Sequence, residues 1–438
     1  MSMILTDEQQ AILDGAKGET MAKVMKTLVM FGEAFHAEKM VPVTSRYNHL
    51  VTSFGLGVLQ PVYDLMQQLI DAGAVSGQKF SADPRPLDPN VPANLLQQLV
   101  FKKFMYNKQD FYEGQLEKLG LLNKDAFTCT CYMSEVGNKP EQGEVLSWSE
   151  SSAVVYANSV LGARCNRNSG IMDIMGSIVG YVPYFGLLTD EGRKATWIVK
   201  IETSKKPEAQ LLGSAIGMKV MEDVPYVVGL DKWLGTELDD AACTYLKDFG
   251  AATASNGAVG LYHIEHLTPE AVEQGDALIA PGAQVYVVDD AELERVKELI
   301  READVVTYSY QNGCLDKFGL SEADIRALNP SVIYSNLMCF SDTVWKDRPG
   351  WAPCAEDITG LSVRNGSLAE PKNLNGVPLD YFPGFILALG TLRAIARRLR
   401  EGGGYKVTTS LTRGAQYLHE CADLCEAAGG RAVRTSSV

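Results

Sequence analysis

The sequence predicts a multi-domain α/β protein, and three observations carry that reading. First, LKDFGAATASNGAVGLYHIEHLTPEA (246–271) alternates helix-forming residues, a glycine turn and a β-rich run, the rhythm of an α/β layer. Second, AELERVKELIREADVV (291–306) runs from a charged helix into an apolar strand. Third, 438 residues, 46% of them hydrophobic and 21% charged, suffice for two or three domains with a large core.

At the N-terminus, Thr6-Asp7-Glu8-Gln9 has the capping-box pattern and starts a helix. Gly15 and Gly18 interrupt it. A second helix is expected over 20–35, where Met21, Val24, Met25, Leu28 and Phe31 recur at helical spacing. VPVTSRYNHL (41–50) reads as a short strand entering a polar turn, with Thr44, Ser45, Arg46 and His49 at its end. Strand ends are where α/β proteins often place ligands, although Thr and Ser also cap turns there. Four prolines make 81–94 an irregular loop, and a long amphipathic helix is expected over 95–119. TWIVKIET (196–203) reads as an edge-like strand. Gly213 and Gly217 form a lone G-x-x-x-G, a pattern of close packing rather than phosphate binding. His263 and His266 flank a strand end and read as structural.

The chemistry concentrates between Phe127 and Gly170. Three of the nine cysteines (Cys129, Cys131, Cys165) fall there, with an acid beside two hydroxyls (Glu150, Ser151, Ser152) and a polar cluster of Asn158, Arg164, Asn166 and Arg167. An apolar, small-residue run from Ala153 to Ala163 joins the two groups and is expected to lie buried. Thiolates are soft ligands for iron or zinc, and a guanidinium is a planar fork for carboxylate or phosphate. The pattern points to a metal-assisted site acting on an anionic substrate. Against it, Cys-x-Cys is not a zinc-knuckle spacing, and free cysteines often serve as small core residues.

Composition excludes several classes. A net charge of −14, from 40 basic and 54 acidic side chains, argues against nucleic acid or an anionic membrane surface as partner. Nine cysteines without framework spacing argue against a disulfide scaffold and for a reducing compartment. MSMILTDEQQ lacks the basic start and apolar core of a signal peptide, and no apolar run is long enough to span a bilayer. A cytoplasmic protein is expected.

The motifs TCTCY (128–132), WSESSAVVYANSVLGARCNRNSG (148–170) and YVPYFGLLTDEGR (181–193) resemble aconitase X, its catalytic large subunit in particular. The similarity is colinear over 1–302, from LTDEQQAILDGAKG to VYVVDDAELERV. It implies a dehydratase of a small hydroxy acid, as in family members acting on cis-3-hydroxyproline or phosphomevalonate. It implies an iron–sulfur cluster acting as Lewis acid, and a separate small swivelling subunit. By resemblance Cys129 is the best metal ligand, with Cys131, Cys165 and the later Cys314 as further candidates. Glu150, Ser45 and Ser152 are candidate catalytic groups, and Thr44, Ser151, Asn158, Arg164, Asn166 and Arg167 line the substrate pocket, Arg164 or Arg167 clamping the carboxylate. The family's two later cysteine stretches, one of them Gly-Cys-Pro-His, have no counterpart here; the nearest remnant is Gly313-Cys314.

From Ala303 the resemblance changes. ADVVTYSYQNGCLDKFGLSEADIRALNPSVIYSNLMCF, DRPGWAPCAEDITGL and GVPLDYFPGFILALGTLRAIARRLREGGGYKVTTSL are similar to the family III CoA transferases. That family uses an aspartate nucleophile, and Asp380 in VPLDYFPG stands at its position; as a lone residue it reads as a helix N-cap. The segment 303–438 lacks the family's N-terminal nucleotide-fold half. The expected organisation is therefore 1–302 aconitase X-like and 303–438 transferase-like. Three functions compete: a hydro-lyase, a CoA transferase using Asp380, and an inactive truncated fusion. The apolar surface of the truncated tail is expected to be covered by the first domain or by another copy of the chain, the latter making a homo-oligomer.

Overall fold

The computed structural model describes residues 3–51, 55–87, 97–123, 126–309, 312–341, 344–348, 350–374 and 378–428. The chain forms two compact units, one of residues 1–86 and 105–289, the other of 87–104 and 290–438. Among the described residues no helix is long and apolar enough to cross a membrane.

The first unit opens with α1 (Asp7–Leu13), whose capping box is formed as expected: Thr6 Oγ1 accepts from Gln9 N, and the Gln9 side chain accepts from Thr6 N. Then follow α2 (Glu19–Ala34), β1 (Met40–Pro42), β2 (Asn48–Leu50), α3 (Gln60–Asp71), β3 (Phe80–Ala82) and α4 (Gln109–Leu119). The single helix expected over 95–119 is two pieces. Gln97–Met105 is a π-helix, and α4 begins only after a turn in which Lys108 N donates to Gly55 O. Residues 88–94 of the proline-rich loop lie outside the described residues. A core of Met25, Leu28, Leu50, Tyr63, Leu69, Phe80 and Leu119 closes this half of the unit, joined by Ile174 from α6 (Gly170–Val179).

The other half is a layered sheet. Its elements in chain order are α5 (Ser151–Ser159), α6, β4 (Tyr181–Pro183), β5 (Ala195–Ile201), α7 (Ala209–Val220), β6 (Pro225–Val228), α8 (Asp231–Leu234), α9 (Asp240–Gly257), β7 (His263–Ile264), α10 (Pro269–Gln274) and β8 (Ile279–Val288). The strand order is β7-β6-β5-β8, all parallel, while β1 pairs antiparallel with β4 and β2 parallel with β3. β5 is thus an inner strand and not the edge its sequence suggested. Its alternation reports one covered face: Trp197, Val199 and Ile201 are buried while Thr196 and Lys200 are exposed. Val199, Ile201 and Val227 pack under Val155 of α5, Ile216 of α7 and Phe249 of α9. α5 is the buried run expected after Glu150, with Ala153, Val154, Val155 and Ala157 at 0% exposure.

The second unit contains α11 (Ala291–Glu302), β9 (Val305–Tyr308), α12 (Glu322–Leu328), β10 (Ile333–Met338), α13 (Ala352–Ile358), α14 (Leu361–Asn365), α15 (Pro378–Glu401), β11 (Tyr405–Ser410) and α16 (Leu411–Ala427). Its sheet runs β11-β10-β9, all parallel. α15 lies on one face, where Thr391 meets Ser335 at 2.8 Å.

Gly213 and Gly217 act as the spacing suggested, letting α7 and α9 touch backbone to backbone. A Cβ at Gly257 would stand 1.9 Å from Gly217 O and one at Gly213 2.4 Å from Phe249 O. Gly257→Ala must push two packed helices apart, so a loss of about 1–3 kcal/mol is expected. Denaturant unfolding that leaves the midpoint unchanged would refute this contact as a determinant of the layer.

Candidate active site

The polar groups of one locality are brought together at the two ends of α5. Glu150 is the N-cap of α5: its carboxylate accepts from Ala153 N at 2.5 Å and from Ser152 Oγ at 2.7 Å. The acid and hydroxyls grouped in the sequence are therefore one cap. At the other end of α5, Asn158 folds the chain back. Its amide donates to Cys165 O (2.9 Å) and Gly260 O (2.8 Å) and accepts from Cys165 N (2.9 Å). That turn brings Asn166 and Arg167 beside Glu150.

Both groups open onto one cavity of about 930 Å³ within the first unit. Glu150, Ser151, Asn166 and Arg167 line it, together with Ser149, Asn168 and Lys194. Phe35 and Phe185, stacked at 4.9 Å, form an apolar wall. The Asn166 amide is already used, donating to Phe185 O at 3.0 Å and accepting from Leu187 N at 2.8 Å. Lys194 is paired with Glu191 at 2.8 Å. Arg167 differs: among the described residues it has neither a hydrogen bond nor an ion pair. Partial burial lowers its pKa and the Glu150 carboxylate opposes that shift, so it remains a cation aimed at an open space.

Other residues singled out from the sequence are structural in this geometry and do not line the cavity. Arg164 donates to Leu188 O at 2.9 Å and pairs with Asp190 at 2.5 Å. Asn158 is spent on the turn. Thr44 Oγ1 accepts from Val145 N, and Ser45 Oγ donates to Asn48 Oδ1 at 3.2 Å. The Asp380 side chain lies outside the described residues.

The cysteines do not gather. Cys131 is buried beside Ser81, and burial pushes its thiol far up. Cys165 is fully buried with Sγ directed at Trp148 O (3.4 Å) and Asn166 O (3.2 Å). Cys314 belongs to the second unit, 3.6 Å from the Tyr308 hydroxyl. Cys129 is exposed, unlike Cys131 and Cys165; partial burial of its sulfur, then the charge of Glu150, raise its pKa. Among the described residues the one group of three metal-type donors within reach of each other is Asp231, Glu265 and His266, which contains no sulfur. Clusters are normally gripped by three or four thiolates, so these residues do not fit one held by this chain alone.

Two buried pairs escaped the sequence reading. Arg193, 1% exposed, donates through Nε to both Glu270 carboxylate oxygens, at 2.7 and 2.9 Å, and through its other nitrogens to Leu187 O and Asn158 O. His263 donates through Nε2 to Arg193 O at 2.8 Å, and burial lowers its pKa to about 4. The second pair is His49, fully buried, whose Nε2 faces Asp83 Oδ1 at 3.5 Å. Burial raises the Asp83 pKa, His49 opposes the shift and Glu150 adds to it. Neither partner of either pair sits near the other in sequence, so no local motif announces them.

Arg167→Gln is expected to weaken binding of a carboxylate substrate at least tenfold, about 1.4 kcal/mol. Arg164→Gln should leave that affinity unchanged, since its guanidinium is held elsewhere. Equal losses of affinity in the two variants, measured by calorimetry, would refute the division.

The comparisons with known proteins agree with this architecture. The family models for the aconitase X first domain and second domain match residues 2–191 and 195–298, and the model for CoA-transferase family III matches 287–436. A phosphomevalonate dehydratase large subunit of Thermococcus kodakarensis is 33% identical, over 68% of this chain and 70% of its own. A cis-3-hydroxy-L-proline dehydratase of Hypocrea jecorina is 28% identical, over 69% of this chain and 49% of its own. The crystal structure of Thermococcus kodakaraensis aconitase X in its holo-form aligns over 96% of both chains, at 25% identity and a TM-score of 0.55. The chain belongs to the aconitase X family of hydro-lyases.

Proposed function

We propose that the chain eliminates water from a small hydroxy acid in the cavity of the first unit. The observation that carries this reading is the uncommitted Arg167 guanidinium facing the Glu150 carboxylate across the same cavity. Arg167 binds the substrate carboxylate, which fixes the adjacent C–H and C–OH bonds near Glu150. Ser152 and Ala153 N hold one oxygen of Glu150, leaving the other to take the C–H proton and return it to the departing hydroxyl, so that the C=C bond forms as the C–O bond breaks and water leaves. Glu150 is thus the residue assigned to catalysis, and Ser152, off the cavity lining, positions it. Phe35 and Phe185 shield the hydrocarbon side of the substrate from water.

The resemblance implies an iron–sulfur cluster and a small swivelling subunit, and the relatives named as large subunits support such a partner. The cysteines described above do not supply the cluster's ligands, so an iron–sulfur cluster would require thiolates beyond this chain's described residues. Residues 1–302 are taken as the catalytic region and 303–438 as a transferase-like appendage. Acyl transfer through Asp380 is not expected. CoA chemistry needs the long cofactor held in attack geometry, and such positioning is worth about 7–11 kcal/mol.

The test is an elimination assay on the chain with an aconitase X-type small subunit, offering cis-3-hydroxyproline and phosphomevalonate. Turnover that falls by two or more orders of magnitude in Glu150→Gln is the expected result. Robust acyl exchange between CoA thioesters and free acids, lost in Asp380→Ala, would overturn the assignment.

A further inference from the structure

The second unit holds a cavity of about 590 Å³ with no role in the elimination proposed above. It lies on the sheet face opposite α15. Tyr334 and Asn336 of β10 point to that face, with Tyr308 of β9 in register with Asn336. Asn336 is 5% exposed, yet its Oδ1 has no hydrogen-bond partner among the described residues. A buried amide oxygen left this way is unfavourable, so it is an acceptor that favours a donor from a bound molecule.

The charges around it sort into two kinds. Glu322 and Lys406 close on one another at 2.6 Å and are neutral as a pair, with Arg326 behind Glu322 at 3.0 Å and off the cavity lining. That leaves Asp316 and Asp347 as the remaining acids and Lys346 and Arg413 as the remaining cations of the same cavity. Arg413 makes one contact, to Glu420 at 3.1 Å, and its other N–H groups are not used in it. Asp316 acts on the sheet face itself: burial, then Glu322 and Asp316, push the Tyr334 phenol up to about 12.

Acceptors and cations lining one cavity offer both halves of the chemistry that a zwitterion requires. We propose that this cavity binds a small amino acid, its ammonium donating to Asn336 Oδ1 and Asp316 and its carboxylate bound by Lys346 and Arg413. The volume lies in the range of small-molecule pockets. A simple carboxylic acid would leave Asn336 without its donor, and a simple amine would leave Lys346 and the remaining N–H groups of Arg413 without an anion.

The experiment is thermal unfolding of the full chain with each of the twenty common amino acids, followed by calorimetry on those that raise the midpoint. The expected result is saturable one-to-one binding by at least one of them. Its deaminated acid should bind at least tenfold more weakly, as should the intact amino acid in Asn336→Leu and in Asp316→Asn. Asp316 is exposed, so that second variant reports on binding even where Asn336→Leu fails to fold. Arg167→Gln should bind normally, which separates this site from the first unit's cavity. The proposal is overturned by the absence of binding across the panel, by equal binding of the deaminated acid, by undiminished binding in Asp316→Asn, or by loss only in Arg167→Gln.

Discussion

The buried Arg193–Glu270 pair is the constraint on which the cavity depends. A guanidinium withdrawn from water is tolerated only when its N–H groups are filled, and here Glu270, Leu187 O and Asn158 O fill them. Each partner belongs to a different part of the first unit. Glu270 lies in α10, Leu187 in the cavity wall, and Asn158 at the end of α5 where the chain turns back towards Arg167. Releasing any of them would leave a charge buried without compensation. The wall, the turn and the helix are therefore held in one arrangement.

That rigidity explains a division of labour among chemically similar groups. Arg164, Arg167 and Arg193 fall within one stretch, yet two are closed by internal partners and only Arg167 stays open to a ligand. Asn158 and Asn166 are likewise structural, their amides spent on backbone groups. Glu150 serves both ends: as N-cap it fixes α5, and as a carboxylate on the cavity it faces Arg167. A helix cap is a precise mount for an acid because two hydrogen bonds fix its orientation.

The second unit shows the same economy in another form. Its three parallel strands carry hydroxyls and an amide on the cavity face, while α15 covers the other. Strand alternation places Asn336 and Tyr334 together two residues apart. The charged residues that complete the cavity come from the segments after β9, β10 and β11, the usual location of ligand groups in parallel α/β sheets.

By itself the sequence determined the local features: the capping box at Thr6, the buried helix after Glu150, the close-packing glycines of α7 and α9, and the motifs of the aconitase X family. Each depends on residues within a few positions of one another, so spacing and residue type suffice. Only the tertiary structure decided which polar groups remain available. Thr44, Ser45, Asn158 and Arg164 have the right chemistry for a site, but partners up to about a hundred residues away consume their hydrogen bonds. The same holds for the cysteines, whose grouping in sequence does not survive because Cys131 and Cys165 turn into the core while Cys129 stays outside. Availability is a property of what surrounds a side chain in space, and for Arg167, Arg193, His49 and Asp83 those surroundings are set by contacts that no linear pattern encodes.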